Sequence, residues 1–451
     1  MRMRLRLRHL WEVLTSGYWF VPATMMAGAA AMAFLLLFID RAIIGTDARL
    51  GWVYGGGSDG AKTLLSTVAS SIITIAGVVF SITIVALTQA SSQFGPRLLR
   101  NFMRDTSNQV VLGTFTGTFL YCLLVLRTIH GKIQDGHEFI PQLSVTVAVL
   151  MAVASIAVLI YFIHHVSTSL QAPSIIAAVK ADLESTIDRM LKDARGSCEP
   201  VEAGSGVAGR LSDDDAHAVH AEFEGYIQAI DYGQLIELAQ KHDVLLRIEY
   251  QPGDYVIEHS VMARLWPAKR YDASMDGHIN GAFISGIHPT DEQDIGFSVR
   301  QLAEIAVRAL SPGINDPYTA VNCIDALGAI LCRLSHRGLP GTLRYDVAGN
   351  LRLIVGALRC QDMMEIAFNP IRSYGKDSVA VMVRLLEVMT VCAEQMTCRQ
   401  QRQCLDQHVQ SVLRQSESSI GDAHDRQIIE QQWSRAVRAL EMGAAGIAQH
   451  H

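Results

Sequence analysis

One uncharged stretch constrains this chain more than any other feature of its sequence. From Thr63 onward there is no charged residue until Arg97, and the stretch is dominated by Ile, Val, Ala and hydroxyl-bearing residues. About 20 apolar residues are enough for a helix to cross a bilayer, so this stretch has length to spare. We therefore predict a transmembrane helix over about residues 63–93.

A stripe of small and hydroxyl-bearing side chains runs along this predicted helix. Some of its residues are separated from one another by multiples of seven positions, and the others form a second such row that begins four positions later. Positions four and seven apart lie on the same side of a helix, so the two rows together form one stripe. Two interpretations stay open: close packing of helices through small residues, or a water-facing surface that lines a pore or cavity. The candidate pore-lining residues are Thr63, Thr67, Ser70, Thr74, Gly77, Ser81, Thr88 and Ser91.

Three further apolar runs predict three further spans, over about residues 18–39, 109–126 and 143–163. The span over 109–126 contains Gly113 and Gly117, and this GxxxG spacing allows two helices to approach closely. We therefore predict a multi-pass membrane protein with four spans.

The distribution of arginine predicts the orientation of these spans. Arginines cluster before the first span and between the second and third, whereas the other two short loops are nearly neutral. Loops rich in Lys and Arg stay in the cytoplasm, so both termini are predicted to be cytoplasmic. The cluster before the first span consists of Arg2, Arg4, Arg6 and Arg8.

A Gly–Pro pair and three arginines follow the uncharged stretch. Gly95 and Pro96 interrupt the helical pattern and are candidates for a hinge. If copies of the second span surround an axis, Arg97, Arg100 and Arg104 form a basic collar at its inner mouth. Such a collar would concentrate anions.

After residue 168 the sequence has the pattern of a soluble region. A helix and linker are predicted over 169–216, a small cytosolic α+β domain over 217–290, and a cytosolic helical domain over 291–451. Residues 1–168 form the transmembrane domain. The predicted fold class is an α-helical membrane protein with four transmembrane helices, followed by a cytosolic α+β region that is mostly helical toward the C-terminus.

The most distinctive motif of the soluble region is the turn-rich segment from Ser311 to Pro317. Its two prolines, its glycine and its Asn–Asp pair predict a rigid joint between two helices, with Asn315 or Asp316 capping the second helix. The alternative is that Arg308, Asn315 and Asp316 bind a polar ligand or a neighbouring subunit.

Composition argues against several classes of function. The net charge of −6 and the lack of a basic, aromatic-rich tract argue against nucleic-acid binding. The eight cysteines contain no CxxC pair, which favours buried, reduced thiols. The acids from Asp291 to Asp294 are interpreted as a solvated helix start and not as a metal site. Catalytic side chains are not grouped, so we expect no enzyme activity, cofactor or metal.

Three stretches carry a resemblance to a known family: VVFSITIVALTQASSQFGPRLLRNFMRD (78–105), QVVLGTFTGTFLYCLLVLRTI (109–129) and RALSPGINDPYTA (308–320). They resemble a bacterial family of predicted membrane proteins defined by domain of unknown function 2254. The resemblance implies a membrane part followed by a cytosolic part. We expect the protein to lie in the bacterial inner (cytoplasmic) membrane. It implies no catalytic residues, and it draws attention to the 308–320 segment as a place where subunits or a ligand meet.

These observations lead to a functional hypothesis. We expect a homo-oligomeric ion-conducting pore in the lipid bilayer, lined by the second span and assembled or gated by the cytosolic region. The alternative is a membrane-anchored sensor or scaffold whose cytosolic part binds a ligand or a protein partner. In that case the stripe of the second span serves helix packing.

Overall fold

In the computed structural model of the chain, the described residues are 19–43, 54–95, 106–129, 139–193, 212–337, 341–356, 359–396 and 398–448. The chain divides into two compact units, Met1–Gln171 and Ala172–His451. The described part of the first unit is helical, whereas the second combines two sheets with many helices.

Four helices form the described part of the first unit, and each is long and apolar enough to cross a membrane. They are α1 (Phe20–Ile43), α2 (Ser58–Phe94), α3 (Thr106–Leu126) and α4 (Gln142–Ser169). The prediction of four membrane helices is confirmed. The helices extend beyond the predicted spans because helical hydrogen bonding continues into polar turns that an apolar pattern does not mark.

The helix α3 lies at the centre of this unit. It contacts α1, α2 and α4, and it is the most buried of the four helices. The side chains of Phe115, Tyr121 and Val125 are fully buried in the core that surrounds it. The packing of the other three helices therefore depends on α3.

The GxxxG glycines of α3 lie against α1. A Cβ atom at Gly113 would lie 2.5 Å from Met25 Sδ and 3.2 Å from Pro22 Cα, and one at Gly117 would lie 3.5 Å from Ala29 Cβ. Without side chains at these positions the two backbones come close together, as the spacing predicts.

A carboxylate of α1 caps the first turn of α4. Asp40 is only 8% exposed, and its oxygens accept hydrogen bonds from Leu143 N (3.0 Å), Ser144 N (3.0 Å) and Ser144 Oγ (2.6 Å). The first N–H groups of a helix have no partner within the helix, and their partial positive charge favours an anion. The hydroxyl of Tyr121 donates to Ser144 O at 2.9 Å, so α1, α3 and α4 are joined at this end.

The second unit begins with α5 (Ala172–Asp193) and continues into eight short strands. The strands are β1 (His217–His220), β2 (Gly225–Ile230), β3 (Leu245–Ile248), β4 (Tyr255–Val256), β5 (Val261–Trp266), β6 (Phe283–Gly286), β7 (Leu343–Tyr345) and β8 (Leu351–Ile354). Helix α6 (Tyr232–His242) follows β2, and α7 (Ser274–Asn280) precedes β6.

The strands form two sheets. The larger has the order β1-β5-β3-β8-β7, in which only β3 and β8 are parallel, and the smaller has the antiparallel order β4-β2-β6. The sheets and α6 enclose one apolar core, which includes Ile227, Leu235, Leu246 and Leu265.

The hairpin of β7 and β8 lies in a segment that the sequence pattern indicated to be mostly helical. Its strands have only three and four residues, so no alternating pattern is long enough to be recognised. The hairpin adds two strands to the larger sheet and so connects residues far apart in the chain.

Helices make up most of the chain after β6. They are α8 (Ile295–Ala309), α9 (Pro317–Arg337), α10 (Cys360–Tyr374), α11 (Val379–Gln395), α12 (Arg399–Ser419) and α13 (Ala423–Ala448). The buried guanidinium of Arg402 in α12 donates to Ala393 O (2.7 Å) and Met396 O (3.0 Å) at the end of α11, and to Ala439 O (2.7 Å) in α13. One side chain thus holds three helices together.

The packing of α1 on α3 generates a stability prediction. Replacing Gly113 with valine should lower the free energy of unfolding by about 1–3 kcal/mol, because the added carbons overlap with Met25 and Pro22. Thermal unfolding in detergent would measure this as a lower midpoint. The control is Gly28→Val on α1, where a Cβ atom meets nothing within 4 Å. Equal midpoints for the two variants would contradict the close helix contact.

Candidate functional site

One side of α2 is a seam that packs against its own unit. The buried residues recur every three or four positions along the helix, and α2 contacts α3 and α4. Five of the eleven are alanines, which allow neighbouring helices to come close. The members of this alanine seam are Ser58, Ala61, Leu65, Ala69, Ile72, Ala76, Val79, Thr83, Ala86, Ala90 and Phe94.

The predicted stripe lies on the other side of α2. We refer to Thr63, Thr67, Ser70, Thr74, Gly77, Ser81, Thr88 and Ser91 as the hydroxyl stripe; the first seven are exposed and Ser91 is half-buried. Most of these residues follow a seam residue by two positions, which is about 200° around a helix. The alanine seam, and not the hydroxyl stripe, therefore provides the packing of α2 within one chain.

Five of the seven hydroxyl groups of the stripe donate hydrogen bonds to carbonyls of their own helix. Thr67 Oγ1 donates to Thr63 O at 2.7 Å, and Thr74 Oγ1 donates to Ser70 O at 2.8 Å. The hydroxyls of Thr63, Ser70 and Thr88 also donate to carbonyls one turn earlier. Their protons are thus used within α2, while their oxygens keep acceptor capacity on the exposed side.

The stripe is longer than the apolar part of a membrane. From Thr63 to Ser91 the helix rises by about 42 Å at about 1.5 Å per residue, whereas the hydrocarbon layer is about 30 Å thick. Beside the stripe, Val78, Phe80 and Val85 are 54%, 50% and 63% exposed. The exposed surface of α2 therefore carries a mostly polar line, which Ile84 (45% exposed) interrupts and large apolar side chains border.

A glycine ends α2. Gly95 has φ 102° and ψ 156°, a backbone conformation that almost only glycine adopts, and its N–H donates to Ser91 O at 3.0 Å. The helix stops where the sequence predicts an interruption. The other hinge candidate, Pro96, and the collar residues Arg97, Arg100 and Arg104 lie outside the described residues.

The segment from Ser311 to Pro317 joins α8 to α9. Asp316 precedes α9 and accepts from Thr319 N (3.1 Å) and Thr319 Oγ1 (2.6 Å), so its carboxylate caps that helix. Asn315 has a positive φ of 50°, which asparagine tolerates better than most residues. The segment thus has the geometry of a helix joint.

The third residue predicted at this segment, Arg308, pairs with a side chain one turn earlier in α8. Its guanidinium forms an ion pair with Glu304, at 3.0 Å, on the same face of α8. Asn315 is exposed, as are Ile314 (42%) and Tyr318 (76%). The structure therefore gives Asp316 a capping role and leaves Asn315 and its apolar neighbours on the surface.

The acid that precedes α8, Asp294, is buried, whereas the sequence was interpreted as placing it in solvent. Asp294, at the end of the group interpreted as solvated, is only 6% exposed and forms an ion pair with Arg300. Burial raises the pKa of the Asp294 carboxyl although Arg300 acts in the opposite direction. Gly253, with φ 94°, lies directly against this carboxylate, where a Cβ atom would overlap with it. Asp294 and Arg300 are six residues apart, and this spacing alone does not predict an ion pair from the sequence.

Metal binding finds no support in these side chains. Within the described parts of the chain, no group of three or more His, Cys, Asp or Glu side chains could hold a metal ion. The hydroxyl stripe therefore remains the candidate functional feature.

Comparisons with known proteins agree with this architecture. Residues 15–391 match the model of a family described as predicted membrane protein (DUF2254). An uncharacterized protein of Mycobacterium bovis and one of Mycobacterium tuberculosis are each 32% identical over 397 residues, which cover 86% of this chain and 74% of theirs. No solved structure matches the chain. The chain therefore belongs to the DUF2254 family of predicted membrane proteins.

Proposed function

We propose that this protein is a homo-oligomeric ion-conducting pore, lined by the hydroxyl stripe of α2 and assembled or gated by its second unit. The observation that supports the proposal is the position of the stripe: it is exposed and lies opposite the alanine seam. No catalytic step is part of this function.

Lipid is a poor neighbour for the stripe. Acceptor oxygens along the exposed side of α2 have no hydrogen-bond donors in hydrocarbon, and burying such groups without partners is unfavourable. Either water or another protein surface can provide hydrogen-bond donors for these oxygens. A ring of identical chains offers both, because each copy of α2 can turn its stripe toward the axis.

The flanking side chains suit such a ring. Val78, Phe80 and Val85 stand beside the stripe and are exposed in one chain. In a ring they would contact neighbouring copies of the membrane unit or lipid, while the smaller residues of the stripe leave space at the axis. The glycine end of α2 would then lie near the mouth of the pore, next to the arginines that follow it in sequence.

The orientation of the protein is part of the proposal. We place it in the bacterial inner membrane with both termini in the cytoplasm, because the arginine clusters precede α1 and follow α2. A fluorescent protein that folds only in the cytoplasm should be bright when fused to either terminus, and alkaline phosphatase should be inactive there. Active phosphatase at either terminus would contradict this orientation.

A second candidate function has its own supporting observation. The joint between α8 and α9 exposes Ile314, Asn315 and Tyr318 on a backbone that a capped helix and a proline hold in place. This surface would suit a membrane-anchored sensor or scaffold whose second unit binds a ligand or a partner. In that case the hydroxyl stripe serves contacts between subunits and carries no ions.

Current recordings on the full-length protein in planar bilayers would test the pore. We expect unitary currents under voltage or membrane tension. Replacing Thr74 with valine should reduce the unitary current, because this isosteric change makes the lining apolar and favours dewetting. The matched control is Val78→Thr, four residues away on the apolar border of the stripe, which should leave the current unchanged.

Assembly measured on the same samples separates the two functions. Size measurements in detergent should give an oligomer for the native protein and for both variants. A protein that stays monomeric and passes no current across the range of voltage and tension would contradict the pore. An oligomer that passes no current, and that Ser70→Leu dissociates, would support the scaffold.

A further inference from the structure

Two thiols face each other among the helices of the second unit. Cys332 in α9 and Cys392 in α11 have their sulfur atoms 3.4 Å apart, and both are free cysteines. Cys392 Sγ also lies 3.8 Å from Gly328 O. This pair is independent of the membrane helices and of the proposed pore.

The packing of α9 on α11 fixes this arrangement. A Cβ atom at Gly328 would lie 2.2 Å from Val388 Cγ1, so the two helices are close at this point because Gly328 has no side chain. Gly328 and Val388 each lie four residues, or one turn, before the paired cysteines. A glycine contact and a thiol contact thus follow one another along the same helix–helix interface.

The two thiols differ in their access to solvent. Cys392 is completely buried, whereas Cys332 is 8% exposed and lines an open cavity of about 510 Å³. Arg333, His336 and Arg384 also line this cavity. Of the two cysteines, Cys332 is therefore the one next to a small solute in the cavity.

The hydrogen bond between the thiols also makes them chemically unequal. The S–H of Cys332 donates to Cys392 Sγ at 3.4 Å; once Cys332 is a thiolate, the S–H of Cys392 donates back to it, and this stabilisation lowers the pKa of Cys332. The same bond, together with burial, raises the pKa of Cys392. The thiol at the cavity is thus the one that more readily becomes a thiolate, which is the nucleophilic form.

We propose that Cys332 and Cys392 form an oxidative modification site for small hydroperoxides, in which Cys332 reacts first and Cys392 resolves the product into a disulfide. A thiol beside a cavity and next to a second thiol resembles the arrangement of reversible redox sensors, in which a resolving cysteine lies beside the reacting one. The sulfur atoms need to approach from 3.4 Å to about 2.05 Å to form the bond.

The reaction is balanced in two steps. The sulfur of Cys332 attacks one peroxide oxygen, so that an S–O bond forms and the O–O bond breaks; the other oxygen leaves with the thiol proton, as water from hydrogen peroxide or as an alcohol from an organic hydroperoxide. The sulfur of Cys392 then attacks the sulfenic sulfur of Cys332, an S–S bond forms, and the hydroxyl leaves as water with the thiol proton of Cys392. Two thiols lose two electrons in total and one hydroperoxide gains them, and a dithiol reductant reverses the product.

The disulfide would tie α9 to α11 covalently. Because α9 begins at Pro317, the disulfide would link the helix that starts at the Ser311–Pro317 joint to α11. The modification therefore gives the second unit a means of responding to oxidants.

Mass spectrometry of the full-length protein tests this site. Trypsin should release Cys332 in peptide 309–333, which also contains Cys323, and Cys392 in peptide 385–399, which also contains Cys398. The C323S/C398S background therefore makes the assignment unambiguous. After reduction, desalting and treatment with hydrogen peroxide, we expect near-stoichiometric linkage of these two peptides, which dithiothreitol reverses.

Single variants in that background test the order of reaction. With Cys392→Ser, Cys332 should become a sulfenic acid that dimedone traps. With Cys332→Ser, Cys392 should stay a free thiol. The proposal is overturned if both native thiols remain free at a peroxide dose that oxidises the exposed Cys398 of the unmodified protein. It is also overturned if dimedone labels Cys392 in place of Cys332.

Discussion

The contact between the alanine seam of α2 and its neighbours α3 and α4 is the interaction that decides which side of α2 is left exposed. Lipid tails are as apolar as the helices, so burial of apolar surface provides little drive for helix association in a membrane. Close van der Waals contact must do so instead, and it requires small side chains. Alanines supply them on α2, and Gly113 and Gly117 supply them where α3 meets α1.

This contact determines what the rest of α2 can do. Once the seam is buried, the helix cannot turn its hydroxyl stripe into the same unit, because the two surfaces lie on opposite sides. The stripe must then meet lipid, water or another chain. Its length and its line of acceptor oxygens favour the last two, and an oligomeric pore provides both.

Part of this account could be predicted from sequence, because it depends on patterns that local physics imposes. Four apolar runs predicted four helices, and the GxxxG spacing predicted the close approach at Gly113. The helical period of Ser and Thr predicted that the stripe lies on one side of α2. Asp316 was one of two candidates for the cap of α9, and the hydrogen bonds from Thr319 distinguish it from Asn315.

The remainder depends on contacts between residues that are distant in the chain. Asp40 directly follows the first predicted span and gave no signal of its own, yet its carboxylate caps α4 more than 100 residues later. The β7–β8 hairpin was missed because short strands acquire their register only by pairing with β3. The two thiols at 332 and 392 also gave no signal, since they come together only through the packing of Gly328 on Val388.

The central claim is that the stripe faces water while the seam and the apolar border do not. Cysteine substitution along α2 in a cysteine-free background, followed by labelling with a charged, membrane-impermeant thiol reagent in native membranes, tests it most directly. The account predicts rapid labelling at positions 67, 70, 74, 77 and 81, and none at Ala69 and Ala76 of the seam or at Val78 and Val85 of the border. Protection of all the stripe positions, or equal labelling of stripe and border, would contradict it.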